Sequence, residues 1–217
     1  MFIYHKWYII IIYMVYKQLE KTDYEVLIFL IENLNKEYSI KEISQSLKKP
    51  YVKIHSSINR LLKQKIIKEE IKGRSRYCSI DYINNLDVVC FINSQKASNF
   101  LEKNKKISII VGDIIKNIKF SNYSIVLFGS YAKGKADKHS DLDIAIITSE
   151  KGKEESDRVM NFVKRLSSLK IHSLEFTYEN FIEMLKSKEN SVGKEMLKNH
   201  IIFKGCEQFY DCLRLSQ

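Results

Sequence analysis

Cysteine, proline and glycine are scarce in this sequence, and each scarcity excludes a class of protein. The 217 residues include four Cys, one Pro and seven Gly. No two cysteines have the Cys-x-x-Cys spacing, and the nearest pair, Cys206 and Cys212, is six residues apart. This pattern excludes a zinc framework and a disulfide scaffold, so we expect reduced thiols in a cytoplasmic protein. The low Pro and Gly content excludes collagen-like and Pro-rich low-complexity material.

Long apolar runs are also missing, apart from one run near the start. Trp7 to Tyr16 is ten residues long, whereas a membrane-spanning helix needs about 20. Lys6 precedes the run as in a signal peptide, but no small-residue cleavage site follows it. Met14 lies inside the run, and we interpret residues 1–19 as an apolar segment that contains a mis-assigned translation start. A short anchor and an additional packed helix are the alternatives, and no stable membrane association is expected.

Charge of the two signs is unequal, with 36 Lys and Arg against 26 Asp and Glu, a net charge of +10. Such an excess favours a polyanion or a ligand that carries phosphates, although a solvated Lys-rich surface would have the same composition. Residues 49–76 contain nine Lys or Arg against two Glu, a net charge of +7. Residues 122–217 contain fifteen basic and fourteen acidic residues. The basic character therefore belongs mainly to one short segment.

Hydrophobic periodicity predicts two domains joined by a helical connector. Residues 20–80 are predicted as a small helical unit that ends in a hairpin, residues 81–120 as the connector, and residues 121–217 as a compact α/β unit. Ser39 and Glu42 have the spacing of a capping box, which places a helix start at this point. The predicted elements of the first unit are helices over Tyr24–Leu34, over Ile40–Leu47 and from Pro50, and strands over Ile67–Ile71 and Arg76–Ile80.

Three helices followed by a two-stranded hairpin resemble a winged helix-turn-helix domain. The resemblance implies that the third helix enters the major groove of DNA and that the hairpin contacts the phosphate backbone. By analogy with other winged helices it also implies a homodimer, whereas a protein-interaction module is the alternative to DNA binding. The residues implied as DNA contacts are Lys49, Lys53, Ser56, Ser57, Asn59, Arg60 and Lys63 on the helix, and Lys72, Arg74 and Arg76 on the hairpin.

The segment from Ser124 to Ile147 carries the residues best suited to chemistry. An apolar run ends in Gly129-Ser130, where glycine permits close backbone approach and free N–H groups of the turn form an anion site. A second apolar run begins with Asp141-Leu142-Asp143. Two carboxylates two residues apart on a strand point to one face and make an oxygen-rich site suited to Mg²⁺.

This segment matches the pattern G-S-x-A-x-G-x(5)-S-D-x-D-x-x-I without a gap from Gly129 onwards. It resembles the signature of the nucleotidyltransferase superfamily that includes DNA polymerase beta, and in particular its minimal, archaeal-type branch. The resemblance implies an α+β fold with a small mixed sheet flanked by helices. It also implies that Gly129, Ser130 and Ser140 bind a nucleoside triphosphate, with ATP as the expected substrate, and that Asp141 and Asp143 bind Mg²⁺ in the catalytic site.

Members of this superfamily often supply a third catalytic carboxylate from a later strand, and Glu175 is the candidate for it here. A partly buried strand residue without a catalytic role is the alternative for Glu175. His172, on the same predicted strand, is interpreted as having no role.

Two functions from different classes follow. The first is a Mg²⁺-dependent nucleotidyltransferase that moves a nucleoside monophosphate to an unknown acceptor and is coupled to a DNA-binding winged helix. The acceptor could be a protein side chain, as for minimal nucleotidyltransferases that act as antitoxins. The alternative is a DNA-binding regulator whose nucleotidyltransferase domain senses nucleotide with little or no catalysis.

Overall fold

A computed structural model describes residues 19–34 and 36–217, which divide into two compact units with a boundary between Ile92 and Asn93. The apolar run over Trp7–Tyr16 lies outside the described residues. Within the described ranges, no helix combines the length and the apolar character needed to cross a membrane.

Among the residues that the structure describes, the first unit contains three complete helices and a small antiparallel sheet. The sheet has the order β1-β3-β2, and the β2–β3 hairpin turns through Gly73, whose φ is +63°. Ser39 and Glu42 form both hydrogen bonds of the capping box at the start of the second helix. The elements are α1 (Lys21–Glu32), β1 (Tyr38–Ser39), α2 (Ile40–Ser46), α3 (Tyr51–Lys63), β2 (Ile67–Lys72) and β3 (Ser75–Ile80).

Helices α1 and α3 are joined by a buried polar cluster as well as by apolar packing. The carboxylate of Asp23 is fully buried, accepts a 2.5 Å hydrogen bond from Ser57 and forms an ion pair of 2.8 Å with Arg60. A buried carboxylate is tolerated only when its oxygens are paired in this way. Around it, leucine, isoleucine and valine side chains of both helices are buried: Val26, Leu27, Leu30, Ile54, Ile58 and Leu61.

The second unit is built on a four-stranded mixed sheet. Its strands have the order β6-β5-β4-β7, with β5 parallel to β6 and β4 antiparallel to both β5 and β7. The α+β fold class expected from the sequence is thus confirmed. Helix α4 (Leu86–Lys103) contains the boundary between the units, and the elements that follow are α5 (Lys105–Asn117), β4 (Tyr123–Phe128), α6 (Gly129–Ala132), β5 (Leu142–Thr148), α7 (Glu150–Leu166), β6 (Ile171–Thr177), α8 (Tyr178–Lys186), α9 (Val192–Lys198), β7 (Ile201–Lys204) and α10 (Cys206–Leu215).

Helices cover both faces of this sheet, and the two faces carry different side chains. One face carries Ile144 and Ile146, which pack in a single apolar cluster with residues of α5 and α7. Helices α8, α9 and α10 contact the sheet as well and supply the buried rings of Phe181 and Phe209. Because side chains alternate along a strand, Asp143 and Ala145 project from the face opposite to Ile144 and Ile146.

Candidate functional site

The turn after β4 brings the backbone of Gly129 against the carboxylate of Asp143. Phe128, the last residue of β4, lies opposite Asp143 in the antiparallel ladder, and the next residue, Gly129, has a φ of +70°. A Cβ atom at Gly129 would lie 2.1 Å from Oδ2 of Asp143. Only glycine fits both this conformation and this approach. The sequence predicted a close approach between Gly129 and a ligand, and the structure shows a close approach to Asp143.

Asp141 immediately precedes β5 and Asp143 is its second residue, and both are half-buried, with side-chain exposures of 33% and 23%. Each carboxylate has a partner from the segment of β6. Nζ of Lys170 lies 2.8 Å from Oδ2 of Asp141, and Nδ1 of His172 lies 3.0 Å from Oδ1 of Asp143. The parallel register explains the second contact, because Asp143 and His172 are direct neighbours across β5 and β6.

Hydrogen bonds within the motif loop hold the segment that leads into β5. The hydroxyl of Ser140 accepts a hydrogen bond from the backbone N–H of Asp137 and donates one to the Asp137 carboxylate. That carboxylate also accepts from the backbone N–H of His139, and these hydrogen bonds lower the pKa of Asp137. Ser140 therefore supports the loop, whereas the hydroxyl of Ser130 makes no hydrogen bond to any described residue.

The structure does not bring Glu175 to the two aspartates. Glu175 is the register partner of Ile146, so it projects from the sheet face opposite to Asp143 and His172. Its carboxylate accepts a hydrogen bond from Ser173, and burial, together with the charge of Asp157, raises its pKa. This placement argues against Glu175 as the third catalytic carboxylate, because one residue of register reverses the face of a strand.

Sequence reasoning missed Lys170 and His172 as members of this site. Their signal is periodicity: Lys170 and His172 are two residues apart, as are Asp141 and Asp143, so each pair occupies one face of its strand. The pairing of β5 with β6 depends on tertiary structure, which the sequence pattern does not give. Within the described ranges, no three His, Cys, Asp or Glu side chains form a ready metal cluster.

A cavity of about 470 Å³ lies beside the motif and is basic in character. Lys133, from the motif, forms a 2.8 Å ion pair with Glu195 of α9. Lys198 is exposed and makes no ion pair with a described residue, whereas Nζ of Lys194 donates to the backbone carbonyl of Ser187. The residues lining the cavity are Lys133, Asn190, Ser191, Val192, Lys194, Glu195, Lys198 and Asn199.

The basic segment of the first unit forms a surface shared by α3 and the hairpin. A cavity of about 210 Å³ lies between the start of α3 and the hairpin tip, and Tyr51, His55, Arg74 and Arg76 contribute to its lining. Lys53, Ser56, Lys63 and Arg74 are exposed. We call these four residues the basic face.

Several residues implied as DNA contacts have partners within the first unit. Ser57 is fully buried and donates to Asp23, so it does not belong to the solvent face where the sequence placed it. Arg60 binds Asp23 through two nitrogens, and this contact raises the pKa of the guanidinium. The remaining contacts join exposed or partly exposed side chains: Lys49 to Glu25, Lys72 to Glu37, and Arg76 to Glu69 and Asn59.

These partnerships differ in strength. Exposed ion pairs contribute at most about 1 kcal/mol, so Lys49, Lys72 and Arg76 can exchange a carboxylate for a phosphate at little cost. Arg60 cannot do so easily, because its departure would leave the fully buried carboxylate of Asp23 without its cation.

Comparison with known protein families finds a match within the second unit. Residues 107–202, which extend from α5 into β7, match the family model of the nucleotidyltransferase domain. The match includes Gly129, Ser130, Asp141 and Asp143, and it confirms the nucleotidyltransferase part of the expectation from the sequence. No curated protein and no solved structure matches the chain.

Proposed function

We propose that the second unit transfers a nucleoside monophosphate from a nucleoside triphosphate to an acceptor hydroxyl. The observation that carries this proposal is the contact between the Gly129 turn and Asp143, which places the turn at the end of β4 beside a half-buried carboxylate. The family match over residues 107–202 supports the same reaction class. In this reaction the acceptor hydroxyl oxygen bonds to the α-phosphorus and releases its proton to solvent. The bond from that phosphorus to the bridging oxygen breaks, and pyrophosphate leaves.

The residues divide into phosphate-binding and metal-binding groups. The backbone N–H groups of the Gly129 turn and the hydroxyl of Ser130 suit the triphosphate. The carboxylate oxygens of Asp141 and Asp143 are the ligand type that Mg²⁺ prefers. The absence of a side chain at Gly129 allows Oδ2 of Asp143 to lie directly against the turn. A bound Mg²⁺ would offset the negative charge that develops on the phosphate oxygens during transfer.

The first unit supports coupling of this activity to DNA. Its order of helices and strands, with a three-stranded sheet β1-β3-β2, agrees with the winged-helix resemblance. The basic face brings α3 and the hairpin tip to one surface, which suits a DNA groove and its phosphates. We also propose that the protein is cytoplasmic and forms a homodimer. A protein side chain is one class of acceptor that the proposal includes.

A second function, nucleotide sensing by a DNA-bound regulator, is favoured by one observation. Both aspartates are already paired with basic residues of the β6 segment, and Glu175 lies on the other face of the sheet. A site without a third carboxylate can bind nucleotide while transferring slowly or not at all. The sensing hypothesis therefore predicts nucleotide-dependent DNA affinity without transfer of label.

Binding of ATP and Mg²⁺, measured by calorimetry, tests the shared premise of both functions. Ser130→Ala should weaken ATP binding several-fold, because it removes one hydrogen bond to a charged phosphate. Ser121→Ala is the matched control, since Ser121 is exposed and lies before β4. Equal affinities for the wild type and Ser130→Ala would remove Ser130 from the site, and no ATP binding by the wild type would contradict both functions.

A further inference from the structure

The cavity between the start of α3 and the hairpin tip combines an aromatic pair with cationic side chains. Its volume is about 210 Å³, and α2, α3 and the hairpin all contribute to its lining. Among the described residues that line it, there is no Asp or Glu. The lining includes the rings of Tyr51 and His55 and three cationic side chains, Lys41, Arg74 and Arg76.

The two rings lie one helical turn apart on α3 and stack on each other. Their centroids are 5.9 Å apart, and their planes differ by 21°. Tyr51 is 51% exposed, so its ring is not part of the apolar core. An exposed aromatic ring beside cationic side chains is the kind of platform on which a nucleobase stacks.

The cations of the cavity are available to a phosphate. Lys41 and Arg74 are exposed, and neither forms an ion pair with a described residue. Arg76 binds Glu69 in a contact between partly exposed groups, and such a contact contributes at most about 1 kcal/mol. The positive charge of the lining therefore complements the negative charge of a nucleic acid backbone.

A stacking ring distinguishes an unpaired base from a paired one. Within a duplex, both faces of a base are covered by the neighbouring base pairs, so a base must leave the stack before an aromatic side chain can cover it. In a single strand the faces of the bases are accessible, and stacking on aromatic side chains tolerates any base. The volume of the cavity suits one nucleotide.

We propose that this cavity binds an unpaired nucleotide of single-stranded DNA, with the base stacked on Tyr51 and its phosphate in contact with Lys41 and Arg74. This inference rests on the DNA binding proposed for the first unit and names a form of DNA that the unit recognises. Arg74 also belongs to the basic face, so a single strand and a duplex compete for it.

Fluorescence anisotropy with three DNA ligands of equal length tests this inference on the full chain. The ligands are an oligothymidylate, an abasic strand that has the same phosphates without bases, and a duplex. Tyr51→Ala should weaken binding of the oligothymidylate about tenfold, because the stacking of one base is lost. The same variant should bind the abasic strand and the duplex as the wild type does.

Further variants separate stacking from charge and from folding. Tyr51→Phe keeps the ring and should keep the affinity for the oligothymidylate, whereas Tyr51→Leu keeps an apolar side chain without a ring and should show the same loss as Tyr51→Ala. Lys41→Ala removes a phosphate contact and should weaken the oligothymidylate and the abasic strand alike. Val52→Ala is the matched control, since Val52 is 72% exposed and does not line the cavity.

The outcomes separate this inference from the proposed coupling to DNA. Unchanged oligothymidylate binding in Tyr51→Ala and Tyr51→Leu, or an equal loss for the oligothymidylate and the abasic strand, would overturn the stacking role of Tyr51. Binding of the duplex without binding of the oligothymidylate by the wild type would overturn the inference and leave the proposed DNA coupling intact. Binding of neither ligand would contradict that coupling itself.

Discussion

At the scale of single residues, the site depends on the absence of a Cβ atom at residue 129. Gly129→Ala combines a left-handed conformation with a Cβ placed 2.1 Å from Oδ2 of Asp143, so the carboxylate must move. Gly134→Ala has nearly the same φ, +64°, but no atom lies within 4 Å of its Cβ. Both should lose about 1–2 kcal/mol for the conformation, and Gly129→Ala should also lose about 100-fold in transfer rate through displacement of Asp143. Equal transfer rates for the two variants in a nucleotide-transfer assay would contradict the proposed geometry.

At the same scale, the burial of His200 predicts how the free energy of unfolding depends on pH. The residue is fully buried, its Nδ1 contacts the carbonyl of Met196, and its Nε2 has no hydrogen-bond partner among the described residues. Burial lowers its pKa from 6.5 to about 3, so the unfolded chain binds a proton below pH 6.5 while the folded chain does not. The free energy of unfolding should therefore fall by about 1.4 kcal/mol per pH unit as the pH drops from 6.5 to 4.5.

The comparison of wild type with His200→Asn isolates this contribution. Urea unfolding of both proteins between pH 7.5 and 4.5 should show a smaller loss of stability in the variant. Parallel pH profiles would show that another group is responsible. The measurement stops at pH 4.5 because carboxylates with lowered pKa values, including Asp137, Asp81 and Glu42, are protonated at lower pH.

The chemistry of Gly129, Ser130, Asp141 and Asp143 could be predicted from the sequence because these residues lie close together along the chain. The contacts of His172, Lys170 and Ser57 could not be predicted from the sequence. They depend on which strand pairs with which, and on which residues of α3 face α1. Glu175 shows the same limit, since a strand pattern without its register does not fix the face.

At the scale of elements, α1 and α3 are held together by Asp23 and Arg60. Arg60→Ala should destabilise the first unit by about 3 kcal/mol, because it leaves the buried carboxylate of Asp23 without its cation. Lys63→Ala, on the exposed face of the same helix, should change stability by less than about 0.5 kcal/mol. Urea unfolding checks both values. If Arg60→Ala left stability unchanged but weakened DNA binding, Arg60 would be a DNA contact and not a partner that stabilises Asp23.

Helix α3 and the hairpin also lead to a prediction about DNA binding. Lys53→Ala/Lys63→Ala/Arg74→Ala removes three cations of the basic face, each of which should contact a phosphate. Binding to a duplex of arbitrary sequence should weaken, and the slope of its logarithmic affinity against logarithmic salt concentration should fall by about three. The matched control, Lys105→Ala/Lys106→Ala/Arg158→Ala, removes the same charge from exposed positions of the second unit. Equal slopes for the two triple variants would remove the basic face from DNA binding.

The order of elements could be largely predicted from periodicity and capping, with boundaries shifted by a few residues. The sequence placed the first helix at Tyr24–Leu34, whereas α1 is Lys21–Glu32, and it placed Pro50 inside the third helix, whereas α3 starts at Tyr51. The two-residue strand β1 was missed, since it is too short to show periodicity. It is identified only by its pairing with β3.

At the scale of the whole molecule, the first unit contains the strongly basic segment, and the second unit contains the candidate nucleotide site. Residues 49–76 carry a net charge of +7, and residues 122–217 are nearly neutral. The basic segment therefore supports a polyanion partner for the first unit and says little about the nucleotide site. In the second unit the family match and the geometry of Asp141 and Asp143 coincide, and together they support the central claim that this unit transfers nucleotides.

Transfer of label from α-labelled nucleoside triphosphates tests that claim most directly. The protein is incubated with each labelled nucleotide, a divalent cation and cell extract, and the labelled molecule is identified. We predict that one acceptor becomes labelled by the wild-type protein and not by Asp141→Ala/Asp143→Ala, whose fold and DNA binding are retained. Absence of label with every nucleotide, or equal labelling by the double variant, would contradict the claim that this unit is a nucleotidyltransferase whose catalysis depends on these two aspartates.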